Sequence, residues 1–257
     1  MSLSFQLIQN GDSALDICFQ GTPGEALSKV IIALQRLLQQ EMALGCWPGL
    51  QELIPAYQCL TIVYDPVQIT GGGPTFGELH AQLQAFIAKT LASSSFPEAL
   101  LRTQPSALIE IPVCYAEPFA IDMDVVCAHT GLARNEVIAR HHKPEYLVHM
   151  LGFSPGFLYL GGLDPSISCP RKEKPALRVD AGSVGIGGAQ TGIYPQATPG
   201  GWQIIGRTPL PLFDPQQEYP FVARPLDRIR FVPISVQEFE SMTRNAAVAM
   251  HAGSEEI

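Results

Sequence analysis

Six residues within one stretch of the chain have side chains suited to holding a small acidic amide: Arg171, Arg178, Gln190, Tyr194, Trp202 and Arg207. A guanidinium is a planar fork that matches a carboxylate or phosphate. A primary amide both donates and accepts, and Tyr or Trp can wall a cleft while keeping one polar edge. Asp164 and Asp180 add carboxylates that can serve as base or partner, a role they share with ordinary turn formation. The set points to substrate binding, and it identifies no catalytic group.

Other motifs in the same stretch lose their chemical reading on inspection. Gly152-Phe153-Ser154-Pro155-Gly156 fits the nucleophile-elbow pattern G-x-S-x-G. In that elbow the residue after the serine donates a backbone N–H to the oxyanion hole, and proline has none. A turn shaped by Pro155 and Gly156 is expected instead. Gly185-Ile186-Gly187-Gly188 has its third glycine misplaced for a dinucleotide fingerprint and no following helix or ribose-binding acid, so it is read as a turn between strands. No G-x-x-x-x-G-K-[ST] phosphate loop occurs.

The six cysteines (Cys18, Cys46, Cys59, Cys114, Cys127 and Cys169) form no C-x-x-C pair, and the six histidines form no H-E-x-x-H. The thiols are therefore read as reduced and mostly packed, and the pair His141-His142 as a solvated helix end. Neither a metal site nor a tightly bound cofactor is expected.

The elements that must position these residues fall into two regions. In the first, Leu15, Ile17 and Phe19 alternate as a half-buried strand, and Thr22-Pro23-Gly24-Glu25 presents a capping box. A helix to about Gln40 follows, its apolar face carried by Leu27, Val30, Ile31, Leu34, Leu37 and Leu38. Leu60, Ile62 and Tyr64 alternate again, then Gly71-Gly72-Gly73-Pro74 turns the chain. Thr75 and Glu78 make a second capping box before a helix through Leu79, Leu83, Phe86, Ile87 and Leu91. Ser93-Ser94-Ser95 and Gln104-Pro105 break the pattern, and Leu108 to Val113 alternates as a last strand. Strand, helix, strands, helix, strand is the ferredoxin-like split βαβ order.

The boundary falls near residue 106, giving an α+β ferredoxin-like domain over 1–105. Over 106–242 two short helices (Asp122 to Thr130 and Asn135 to His142) precede a run dense in glycine and proline. Leu151 to Pro215 holds 12 of the chain's 23 glycines. Such density indicates short strands and tight turns, hence a mostly β barrel. Residues 243–257 are expected to form a loosely ordered tail.

Composition excludes several classes. With 46% hydrophobic and 16% charged residues the chain can bury substantial cores. Its formal charge of −8 lacks the basic footprint of a nucleic-acid or anionic-membrane binder. The N-terminus has no basic n-region, and no run of about 18 apolar residues occurs, so a cytoplasmic protein is expected.

The segments LGFSPGFLYLGGLDP, Pro170-Arg171, AGSVGIGGAQTGIYP and TPGGWQIIGRTPLPLFDP closely resemble the family called allophanate hydrolase subunit 1 or KipI-like, which includes the B subunit of bacterial 5-oxoprolinase. The resemblance covers nearly the whole chain. It implies a ferredoxin-like domain followed by a cyclophilin-like barrel. It also implies a non-autonomous subunit of an ATP-dependent complex that opens 5-oxo-L-proline to L-glutamate, with ATP as co-substrate. The partners it implies are a KipA-like subunit and a LamB/YcsF-type subunit. An alternative within the same family is a KipI-like inhibitor of a sensor histidine kinase. Where the family usually reads P-R-x-x-x-P-R and then V-P-A-G-S-V, this chain has Ala176 for the second arginine and Asp180 for the proline. Arg178 can replace the missing guanidinium only if its strand face allows it.

Overall fold

A computed structural model describes residues 3–70, 76–93, 96 and 107–252. The chain divides into two compact units, Met1–Pro105 and Ser106–Ile257. The expected glycine turn at 71–74, the Thr75 cap and the breakers at 94–95 and 104–105 lie outside the described residues.

In the first unit β1 (Phe5–Asn10), β2 (Ala14–Phe19), β3 (Leu50–Pro55) and β4 (Cys59–Tyr64) form an antiparallel sheet in the order β1-β2-β4-β3. The period-2 pattern puts Leu15, Ile17, Phe19, Leu60, Ile62 and Tyr64 on one face. There they pack against Ile31, Leu34 and Leu38 of α1 (Glu25–Ala43) and Leu79, Leu83 and Ile87 of α3 (Phe76–Ala92). A short α2 (Pro66–Thr70) precedes α3.

Two expectations for this region are corrected. The capping box at Thr22 does not form: Gly24 takes the N-cap with no side-chain cap, and its carbonyl receives the Ser28 N–H. The strand β5 (Leu108–Val113) leaves the first unit altogether and pairs in parallel with β13 (Arg228–Pro233). The strand beside β2 is β1 instead, so a split βαβ closed by Leu108–Val113 does not exist. β5 alternates as well as β1 does, and only pairing with a distant segment decides which sheet takes it.

The second unit is built on a seven-stranded sheet in the order β12 (Gln203–Arg207), β9 (Ser183–Gly187), β10 (Gln190–Ile193), β7 (Leu158–Gly161), β6 (Glu145–Leu151), β13, β5. The sheet curls until its edges meet. Cys114, just past β5, and Arg207 exchange backbone hydrogen bonds of 2.8 and 3.0 Å. A separate ribbon pairs β8 (Ala176–Val179) with β11 (Thr198–Gly200). Inside the curl, Ile111, Val113, Val148, Leu158, Leu160, Val184, Ile186, Ile193, Ile205 and Phe231 form the core, joined by residues of α4 (Met123–Thr130) and α5 (Arg134–His142).

The His141-His142 pair is not a solvated helix end. His141 is fully buried. Its ring stacks on Phe231 at 4.7 Å, and its two nitrogens meet Tyr115 Oη at 2.8 Å and Thr191 Oγ1 at 2.9 Å. Thr191 already donates to the Gly185 carbonyl, so it accepts from Nε2–H, and Tyr115 then donates to Nδ1. Burial pushes the His141 pKa down to about 3, so the ring is neutral and both its nitrogens have partners.

α6 (Val236–Ala252) runs into the stretch expected as a loose tail from 243, and residues 253–257 lie outside the described residues. Ser235 and Glu238 cap it reciprocally: the Glu238 carboxylate accepts from Ser235 N and Oγ, and Ser235 Oγ accepts from Glu238 N. Phe239 anchors the helix on Phe119, with ring centroids 4.3 Å apart. No helix among the described residues is long and apolar enough to cross a membrane.

Candidate functional site

Alternation in β7, β9, β10 and β12 sends one set of side chains into the core and leaves the other on the opposite face of the sheet. On that second face the sequence places glycine repeatedly, and Trp202 occupies the space. A Cβ at Gly187 would lie 2.5 Å from the indole and one at Gly192 2.9 Å from it, while at Gly185 it would meet Trp202 Cβ at 3.2 Å. Gly187 and Gly192 form a shelf that only glycine can build, with Gly185 packed tightly beside it. Trp202 is thus 4% exposed, and seating it removes about 200 Å² of surface, roughly 5 kcal/mol before entropy is charged. The Gly185–Gly188 motif is therefore the seat of Trp202, ending in the Gly188 turn, where φ is +68°.

Phe157, Tyr194, Val179 and Ile204 complete a second apolar cluster around Trp202, with Tyr159 and Ala176 packed against it. Phe157 meets Trp202 edge-on at 5.5 Å and Tyr194 at 5.2 Å. Above this floor sits Arg171, its guanidinium carbon 5.6 Å from the indole centroid. Its neighbours hold it there. The Pro170 carbonyl accepts from Gln203 Nε2 at 3.0 Å, and Lys172 N donates to the Gly201 carbonyl at 2.7 Å. Lys172 Nζ pairs with Asp122 at 2.7 Å, and the same carboxylate oxygen accepts the Ile204 N–H. Arg171 itself makes no ion pair among the described residues, so its N–H groups remain available.

Gln190 lies two residues before Gly192 on the same strand face and opposite Gly187 in the β9–β10 register. Burial raises the pKa of both Tyr194 and Tyr159, against the Trp202 backbone N–H and then Arg171 for Tyr194 and against Arg171 for Tyr159, so both phenols keep their protons at neutral pH. Arg171, Gln190, Tyr194 and Trp202 are thus brought to one face. A fixed cation on an apolar floor, with protonated phenols and an amide at hand, can orient a small planar anion or amide.

The other two arginines go elsewhere. Arg178 is exposed and pairs with Asp180 at 3.2 Å. Arg207 approaches the same carboxylate at 3.7 Å and donates from Nε to the Ala181 carbonyl at 2.7 Å. Both guanidiniums are occupied in clasping the turn before β9, and Arg178 does not supply a cation to the indole face. Asp164 caps the 3-10 turn Pro165–Ile167, accepting from Ser166 N and Oγ.

Sequence reasoning missed Tyr159 and Phe153. Tyr159 was legible in Leu-Tyr-Leu, where Leu158 and Leu160 enter the core and the residue between them must face the indole side. Phe153 was not. It holds φ +67°, is 63% exposed, and sets its ring against Phe157 and Tyr194. It lines a shallow cleft of about 310 Å³ with Leu151, Ser154, Pro155 and Phe221. Among the described residues Ser154 Oγ is buried without a hydrogen-bond partner, and the segment after it leads into strand β7 rather than a helix, so Ser154 does not sit on a nucleophile elbow.

Residues 5–223 match the family model of the carboxyltransferase domain, subdomain C and D. The chain belongs to this carboxyltransferase-domain family. It is 38% identical over 242 residues to the 5-oxoprolinase B subunit of Bacillus subtilis, covering 94% of this chain and 98% of that protein. It is 55% identical over 128 residues to the 5-oxoprolinase B subunit of Escherichia coli O157:H7, covering 50% of this chain and 59% of that protein. The Kluyveromyces lactis urea amidolyase structure superposes with a TM-score of 0.69 over 95% of this chain at 19% identity. This chain spans only 16% of it, so that likeness speaks for the fold of the carboxyltransferase domain alone.

Proposed function

We propose that this chain is the B subunit of an ATP-dependent 5-oxoprolinase, which opens 5-oxo-L-proline to L-glutamate and works only with its partner subunits. The observation that carries the reading is full-length similarity to a 5-oxoprolinase B subunit. The indole face supports it, because 5-oxoproline is a small planar lactam bearing one carboxylate. Arg171 forks onto that carboxylate, Gln190 and Tyr194 address the lactam edge, and Trp202 supplies the apolar floor. Arg178 and Arg207 support the walls through Asp180 instead of touching substrate.

In this reading the four-stranded sheet is ferredoxin-like in strand order, with β1 supplying the last strand from the front of the chain. The curled sheet is a cyclophilin-like barrel. The complex is cytoplasmic and includes a KipA-like subunit and a LamB/YcsF-type subunit. ATP serves as co-substrate: phosphorylating the lactam oxygen turns an unactivated amide into an electrophile that water can open. The glycine-rich motif seats Trp202, and in this reading ATP engages another surface of the complex. The KipI-like inhibitor role is the weaker reading, since the relative matched over almost its whole length is a 5-oxoprolinase subunit.

The test is glutamate and ADP formation from 5-oxoproline and ATP, by this chain alone and with the purified KipA-like and LamB/YcsF-type subunits. Activity in the full mixture only is expected. No turnover by a stable three-component complex would sink the reading.

A further inference from the structure

On the face of the first unit's sheet turned away from α1 and α3, Cys18 of β2 stands directly across from Cys59 of β4. The neighbouring pairs fix what kind of pair this is. Phe19 N donates to the Gln58 carbonyl at 2.8 Å and Tyr64 N to the Ser13 carbonyl at 2.8 Å, so the hydrogen-bonded pairs fall on the odd residues of β2. Cys18 and Cys59 therefore form a non-hydrogen-bonded pair, the kind whose Cα atoms lie only about 4.5 Å apart and whose side chains come closest. Each thiol shifts the titration of the other, as close neighbours do. Both side chains are half-buried rather than sealed in the core.

From this placement we propose that Cys18 and Cys59 are a reversible dithiol–disulfide site, oxidised by hydroperoxides or by a low-molecular-weight disulfide. A spacing of about 4.5 Å lies inside the range that a disulfide spans, near its lower limit, so the bond forms without moving the strands and stays reducible. With hydrogen peroxide, one thiolate attacks a peroxide oxygen and the O–O bond breaks, giving a sulfenic acid and, after protonation, water. The second thiol then attacks the sulfenic sulfur, the S–O bond breaks, and a second water leaves. Both sulfurs are oxidised, both peroxide oxygens are reduced, and two thiol protons pass to the waters.

The consequence is a staple between the two central strands of the sheet, closing a loop that contains all of α1. Among the described residues none of the other four cysteines has such a partner: Cys114 and Cys169 are buried in the second unit, Cys127 lies on α4, and Cys46 is exposed beyond α1. Burial raises Cys18 and lifts Cys59 to about 11, so the resting form is the protonated dithiol.

The experiment treats the full chain with hydrogen peroxide, and separately with a graded glutathione disulfide to glutathione series. Alkylation, non-reducing digestion and mass spectrometry follow. The expected product is the peptide pair joined through Cys18 and Cys59, at least about tenfold above any other pair and cleared by dithiothreitol. The joined product should vanish in Cys18→Ser and in Cys59→Ser and persist in Cys46→Ser. Recovery of Cys18 and Cys59 both alkylated, with Cys46 taking the oxidant, would overturn the proposal.

Discussion

The two faces of the curled sheet solve opposite problems with the same strands. On the inner face His141 is enclosed by Phe231, Tyr115, Tyr146 and Thr191, and each ring nitrogen has a partner. On the other face the Arg171 guanidinium lies over Trp202 with no ion pair among the described residues. A buried polar group with its bonds complete is a structural part, since leaving either nitrogen unpaired would cost about 1–3 kcal/mol. A cation fixed by its neighbours but not neutralised has donors to spare. The difference separates a histidine whose bonds complete a core from an arginine whose donors face outward.

The sharpest way to break the comparison is to fill the shelf. Gly187→Val places carbon where the indole lies and is expected to destabilise the protein by roughly 3 kcal/mol or more, read as a lower urea midpoint. The inner face is tested by pH. The folded pKa of His141 is about 3 and its unfolded value about 6.5, so the unfolded state takes up the proton first. Its contribution is present above pH 6.5 and is lost as pH falls from there toward 3. Stability should drop by roughly 2 kcal/mol between pH 7 and pH 5 from this group, and His141→Gln should flatten that slope in urea titrations.

The outer face is tested by activity. Arg171→Ala should lower kcat/KM of the assembled complex by at least about tenfold, roughly 1.4 kcal/mol, while the urea midpoint and complex assembly stay unchanged. Equal loss of stability and activity would make Arg171 a packing residue. The smallest effect is expected at Arg178→Ala, where losing an exposed pair with Asp180 should cost under about 0.5 kcal/mol and leave turnover intact.

Local signals carried far along this chain. The alternation of Leu15, Ile17 and Phe19 and of Leu60, Ile62 and Tyr64, the helical face of α1, and the two short helices at α4 and α5 all follow from period and side-chain type. Two more were present and passed over: Asn10-Gly11 marks the hairpin that brings in β1, and Ser-x-x-Glu at Ser235 starts α6. Among the site residues, Arg171, Gln190, Tyr194 and Trp202 were legible because glycine density and charge scarcity singled out their stretch. Arg178 and Arg207 could not be told apart from Arg171 there, since a guanidinium carries no mark of which carboxylate it will meet.

By itself, then, the sequence determined the local elements, the glycine-rich character of the second unit, and the residue types a small anion requires. These depend on neighbours within a few positions. Tertiary structure alone decided that β5 pairs with β13, that Gly187 and Gly192 lie under one indole, and that Asp180 takes two of the three arginines. Each of those outcomes joins residues distant in sequence, and contact between them is created only when the strands curl and their edges meet.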